Sequence, residues 1–192
     1  MPDYDIALLE IQKTLAREGA GSHQAFLGVM VPGQQRVYGV KTPVLNELAR
    51  KFRTGSFELA EALWASGSLE ERVIAVKILE KTGKSDPGRL LRLFQVFSKG
   101  VDNWAVCDGL GMQSLRSIVK THEEEIFSIA EKLVRSKNPW QRRLSLVMVE
   151  WYTRKPGQHR RIRTLVSQLK DDEAYYVQKA IAWISRNFDK QK

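Results

Sequence analysis

The sequence predicts an all-α chain folded as an α-solenoid, and three observations carry that prediction. Helix start and stop signals recur along all 192 residues. No run reads as a strand hairpin. Helix interiors also repeat: Ala75, Leu110, Ser145 and Ala180 stand 35 residues apart. Val76, Leu146 and Ile181 follow one residue later, and Leu79, Val149 and Ile184 three beyond those. Two helices per period of about 35–45 residues is the signature of HEAT-like and related solenoids. A plain helical bundle is the alternative. About ten to twelve helices are expected, in one domain spanning 1–192.

Each element has a local reason. Residues 3–18 read as an amphipathic helix with Ile6, Leu9, Leu15 and Ala16 inward, stopped by Gly19-Ala-Gly21. A short segment from Ser22 to Val31 ends at Pro32-Gly33. Thr42-Pro43 is an N-cap followed by proline, which opens a helix to Phe52. Residues 56–66 form the next, ending near Gly67. Ser68-x-x-Glu71 is a capping box for a helix through Lys81. Ser85-Asp-Pro87 opens another, which runs to Lys99-Gly100. Thr121-x-x-Glu124 reads as a second capping box, and Asn138-Pro139 as a second cap-plus-proline start. Pro156-Gly157 precedes the last two helices, roughly 158–169 and 172–188.

Composition narrows the function classes. No run of about 18 apolar residues exists, so no membrane span is expected. The first ten residues carry Asp3, Asp5 and Glu10 without an apolar stretch, so no secretory signal is expected. The single cysteine, Cys107, excludes an internal disulfide framework and a cysteine-rich zinc site. His23, His122 and His159 lack metal-ligand spacing, and a reducing cytoplasm is expected. Lys and Arg number 31 against 22 Asp and Glu, a net charge of +9. Between Lys132 and Arg163 ten basic residues face Glu150 alone, the electrostatic footprint of a polyanion binder.

One acid stands in an unusual place. Asn103 reads as an N-cap, after which Trp104, Asp108, Gly111, Leu115 and Ile118 fall on one helical stripe. Burying an ionised carboxylate in such a stripe is costly unless it is paired. The 35-residue register puts Asp108, Arg143 and Gln178 at equivalent positions, so Arg143 is the expected partner. Trp104 lies one turn before Asp108, and Trp140 begins the Arg143 helix. On the last helix Val177, Ile181, Ile184 and Phe188 form a core stripe. Tyr176, Lys179, Trp183 and Arg186 lie off it. In a straight helix Trp183 and Gln178 point roughly 140° apart, so the helix must tilt for Trp183 to face Asp108.

These residues resemble a known family, the DNA alkylation repair family with its AlkD-like, HEAT-like-repeat DNA glycosylases. The marks are Tyr38-Gly-Val-Lys-Thr-Pro43, Leu63-Trp64 followed by Glu71-Arg72, and Asn103-Trp-Ala-Val-Cys-Asp108. Asn138-Pro-Trp-Gln-Arg-Arg143 and Tyr176-Val-Gln-Lys-Ala-Ile-Ala-Trp183 complete them. The resemblance implies a right-handed solenoid with a concave basic groove for double-stranded DNA containing alkylated purines. It also implies a monomer that needs no metal or organic cofactor. Asp108 matches the family's catalytic aspartate, Trp104 and Trp183 its flanking aromatics, and Arg143 the arginine of the same pocket. Lys137, Trp140, Arg142, Gln178, Lys179 and Arg186 are the expected DNA contacts. The chain runs nine residues beyond Trp183, where longer members continue, so one face of the groove is expected to be shorter. Asn103 stands where some members carry a second tryptophan. The expected reaction is hydrolysis of the N-glycosidic bond of N3- or N7-alkylated purines. A non-catalytic module binding DNA or branched DNA, and a protein-interaction scaffold, remain as alternatives.

Overall fold

A computed structural model describes residues 3–31, 33 and 36–189. Among them eleven α-helices follow one another: α1 (Asp3–Glu18), α2 (Gly21–Met30), α3 (Thr42–Lys51), α4 (Phe57–Ala65), α5 (Leu69–Thr82), α6 (Pro87–Ser98), α7 (Trp104–Asp108), α8 (Glu123–Leu133), α9 (Pro139–Val147), α10 (His159–Gln168) and α11 (Tyr175–Asp189). A π-helical turn, Gly109–Ser114, continues α7, and 3-10 turns Glu150–Arg154 and Pro156–Gln158 lead from α9 to α10. The one extended pairing among the described residues is an isolated bridge between Arg36 and Ser68. Pro32 of the Pro32-Gly33 breaker lies outside the described residues.

The helices pack as an α-solenoid in two rows. α5, the π turn, α9 and α11 touch in sequence, while α4 lies on α5, α6 on the π turn, and α8 and α10 on α9. The four residues of the 35-residue register, Ala75, Leu110, Ser145 and Ala180, all lie in this first row with no exposed surface. A period that matches the layer spacing returns an equivalent buried residue to each crossing, and three of the four, Ala75, Ser145 and Ala180, are small. One continuous apolar core runs from Ile11 to Ile184.

Local signals set most of the boundaries. Ser56 and Asp86 accept from the third amide beyond them at the starts of α4 and α6, and Asn138 accepts from Trp140 N–H. Buried Asn103 caps α7 through Val106 N–H at 2.9 Å. The two capping boxes behave differently. Ser68 Oγ accepts from Glu71 N–H at 3.2 Å, but the Glu71 carboxylate turns away to Tyr38 Oη at 2.8 Å. Thr121-x-x-Glu124 forms no cap at all: Thr121 donates to Ile118 O, and Glu124 is drawn to Arg161. Thr42 begins α3 without a side-chain cap, its start one residue earlier than expected.

Three further expectations are corrected. In α1 the inward residues are Ile11 and Leu15, with Tyr4 and Leu8 completing an i, i+4, i+7, i+11 stripe; Ile6, Leu9 and Ala16 are exposed. α11 starts at Tyr175 rather than 172, because side chains clasp the preceding loop from both sides. Arg142 binds the Asp172 carboxylate, and Gln178 Nε2 donates to Asp172 O at 2.6 Å. Finally, the stripe from Trp104 to Ile118 is not one α-helix. The π turn changes the residue angle after Asp108, so Gly111, Leu115 and Ile118 are buried while Asp108 ends α7 at a cavity.

Candidate functional site

Asp108 is held by Arg143 in a two-pronged pair. Arg143 Nε donates to Oδ1 at 3.0 Å and Nη2 to Oδ2 at 2.9 Å. The third guanidinium arm, Nη1, donates to Tyr176 O at 2.7 Å. One arginine therefore ties α7, α9 and α11 together. Its side chain is 9% exposed, while that of Asp108 is 30% exposed. The planar fork matches a carboxylate in geometry and charge, which fixes the orientation of both groups.

A glycine sets the distance at which this pair can form. A Cβ on Gly111 would lie 2.7 Å from Val147 Cγ1 and 3.1 Å from both Leu144 Cδ1 and Met148 N. The π turn thus runs close against α9, and the short Asp108 side chain reaches Arg143 across the same interface. Burial pushes the Asp108 carboxyl above the usual aspartate range, and the Arg143 guanidinium works against that rise. Cys107, fully buried beside it, has its thiol pushed up by burial and then by the Asp108 charge, which removes it as a nucleophile.

Asp108 opens into a cavity of about 490 Å³. Trp104 forms one wall, and its Nε1 donates to Met30 O at 2.9 Å, which fastens the end of α2 over the site. Phe26, Leu27 and Met30 of α2 line the same space, as do Val73, Lys77, Met112 and Arg116. Phe26 and Met30 are 54% and 50% exposed, so the rim is apolar and reachable.

The structure brings Asp108, Arg143 and Trp104 together and places the other expected residues elsewhere. Trp183 is half-buried on α11 and does not line the cavity; it shares a helix face with Tyr176, seven residues earlier. Trp140 packs on Tyr176, ring centroids 4.9 Å apart. Arg142 spends its donors on Asp172, Ser136 O and Lys137 O. Gln178 turns back onto Lys170 O and Asp172 O. Lys137, Lys179 and Arg186 are exposed, with Lys179 Nζ 5.1 Å from the Tyr175 ring centroid. Among the described residues no three His, Cys, Asp or Glu side chains cluster as a metal site, and no helix is long and apolar enough to cross a membrane.

Lys77, Arg116 and the α2 rim were not singled out from the sequence. The 35-residue register contains a signal for the first: Val73 and Lys77 stand 35 residues before Asp108 and Met112, and all four line the cavity. Arg116 lies past the π turn, where the register no longer follows an α-helical angle.

Fold and site together define an all-α solenoid whose arginine-paired carboxylate opens beside a tryptophan into a cavity of about 490 Å³. The sequence profile of the family described as DNA alkylation repair enzyme matches residues 11–192, and the chain belongs to that family. A comparison with curated proteins found no match.

Proposed function

We propose that the protein is an alkylpurine DNA glycosylase that hydrolyses the N-glycosidic bond of N3- or N7-alkylated purines in duplex DNA. The observation that carries this reading is the asymmetry of the pair. Arg143 is closed on all three arms, whereas Asp108 keeps an open side toward the cavity.

The chemistry asks for little more. Alkylation gives the purine a positive charge, so it leaves without acid assistance. When the C1′–N bond breaks, its electron pair moves to the purine nitrogen and neutralises that charge. Positive charge then develops on the deoxyribose. An ionised Asp108 stabilises that cation and accepts a hydrogen bond from the attacking water, whose oxygen bonds C1′ as its proton is released. The Trp104 face favours the same cation. The products are a neutral alkylpurine and an abasic sugar.

Arg143 is a positioning residue. It fixes the carboxylate's orientation and offsets the burial that would protonate it. Trp183 lies outside the cavity, so its contribution as a second wall requires the bound DNA to span from the cavity to the open face of α11. Methylated duplex DNA is the test. Release of 3-methyladenine or 7-methylguanine is expected; a protein that binds this DNA and releases neither base is not a glycosylase of this kind.

A further inference from the structure

Four of the ten basic residues in the run from Lys132 to Arg163 are held closely by acids of the fold. Arg142 is paired with Asp172, Arg143 with Asp108, Lys155 with Glu123, and Arg161 with both Glu124 and Glu131. Arg135, Arg160 and Arg161 surround a separate cavity beside α8 and α10, in the second row of helices. A count along the sequence therefore overstates the cations available near Asp108.

The cations around the Asp108 cavity come from other places. Lys77 on α5 and Arg116 after the π turn both line it. Arg116 and Met112 are shared with a second cavity of about 280 Å³, which Arg154 also lines, with Glu150 and Trp151. The two spaces thus adjoin through Arg116. Its side chain is 64% exposed and reaches Glu80 at 3.5 Å; that of Arg154 is 52% exposed and reaches Glu150 at 3.4 Å. Both distances are long for charge-assisted hydrogen bonds, which run at about 2.7–2.9 Å. Each pair joins a guanidinium that is more than half exposed to an acid that is 17% (Glu80) or 6% (Glu150) exposed. Asn187 Nδ2 also donates to Glu150 Oε1 at 2.8 Å and Lys81 Nζ lies 3.9 Å from Glu80, so each acid keeps a partner when its guanidinium turns to a phosphate.

We propose that Lys77, Arg116 and Arg154 form a phosphate track that carries one DNA strand past Asp108, with the second cavity as the subsite for the nucleotides flanking the reacting one. The proposal rests on the DNA reading above, but not on the reaction. Spacing is compatible with a strand. Lys77 lies on α5, Arg116 just after the π turn and Arg154 at the end of the 3-10 turn after α9. The three cations thus follow successive members of the first row, and helices pack about 8–10 Å apart. They span about 16–20 Å, or roughly five nucleotides at about 3.4 Å of axis per nucleotide. Each phosphate contact releases condensed counterions, so each should contribute about one unit to the slope of log affinity against log salt.

The test compares two pairs of cations on one duplex, undamaged and alkylated, from low to moderate salt. R116Q/R154Q is expected to bind about tenfold or more weakly and to lose about two units of salt slope. R116K/R154K should keep the wild-type slope, since a lysine still supplies the charge. R135Q/R160Q, which removes the same charge from the other row, should leave the slope nearly unchanged. K77Q/R116Q provides an inner variant that leaves the Glu150 contacts intact, and circular dichroism reports folding of each. Equal effects of the inner and outer pairs, or an unchanged slope in both inner variants, would overturn the track. Failure of base release with this binding pattern intact overturns the glycosylase reading and leaves the track standing. Failure to bind the duplex at low salt overturns both.

Discussion

Two neighbouring arginines on α9 each clamp an aspartate, with opposite results. Arg142 holds Asp172 through Nε and Nη2 at 2.5 and 3.1 Å, and Asp172 Oδ1 also accepts Ala174 N–H at 2.9 Å. Its hydrogen bonds pull the Asp172 carboxyl below the usual aspartate range. Arg143 holds Asp108 with comparable geometry, yet burial pushes that carboxyl up. The Asp172 side chain is 7% exposed, less than the 30% of Asp108, so surface exposure alone would predict the reverse order. What differs is depth and completeness. Both oxygens of Asp172 are taken, by Arg142 and by Ala174 N–H. Asp108 sits among more protein, receives no backbone N–H among the described residues, and meets solvent through a cavity. The closed clasp at Asp172 leaves no side of the acid free; in the proposed reaction the open side of Asp108 is the reactive one.

The largest expected effect tests the open side. Asp108→Asn should lower base release about 1,000-fold, equivalent to about 4 kcal/mol of barrier, while duplex binding is retained. Single-turnover excision beside a binding titration measures both. A loss of binding as large as the loss of rate would make Asp108 another structural acid.

The closed clasp should respond in stability instead. Asp172→Asn leaves Arg142 without its carboxylate and is expected to cost about 2 kcal/mol in urea unfolding. Excision well below the melting temperature should then be unchanged. An equal rate defect in this variant would erase the distinction between the two pairs.

Acidification separates them more finely. The Asp172 pairing stabilises the fold above the ordinary aspartate pKa, and that contribution is lost as pH falls through the lowered value. Asp108 has the opposite sign: its raised carboxyl opposes folding where ionised, and the penalty is relieved as pH falls through its pKa. Excision should fail on the acid side at a pH above the ordinary aspartate value of 3.8. Arg143→Gln should move that limb further upward, because it removes the groups that oppose burial. A pH–rate profile with an unmoved limb in this variant would show that Arg143 has no part in setting the charge of Asp108.

Much of this molecule is legible in the sequence, and the failures share a cause. Asn103, Ser68, Ser56 and Asn138 cap the helices they precede because the donor and acceptor lie within three residues. The pairing of Asp108 with Arg143 is readable because an integer period keeps equivalent residues on adjacent helices. Thr121 fails as a cap because the helix starts at Glu123, one residue later than the box requires. Its hydroxyl donates back to Ile118 O, while Glu124 pairs with Arg161, 37 residues away. The π turn escapes because no local pattern marks the change of helical angle; the tight contact that requires Gly111 comes from α9.

Spacing along the chain is enough to read most of the helices, the 35-residue register and the partner of the one acid placed among apolar residues. Those follow from spacing along a chain with fixed helical geometry. Which cations remain available, where Trp183 lies and which way Asp108 titrates depend on contacts between distant helices. Arg142 and Arg143 are adjacent and chemically identical. Only the depth of protein around each aspartate, and the cavity beside one of them, makes their roles different.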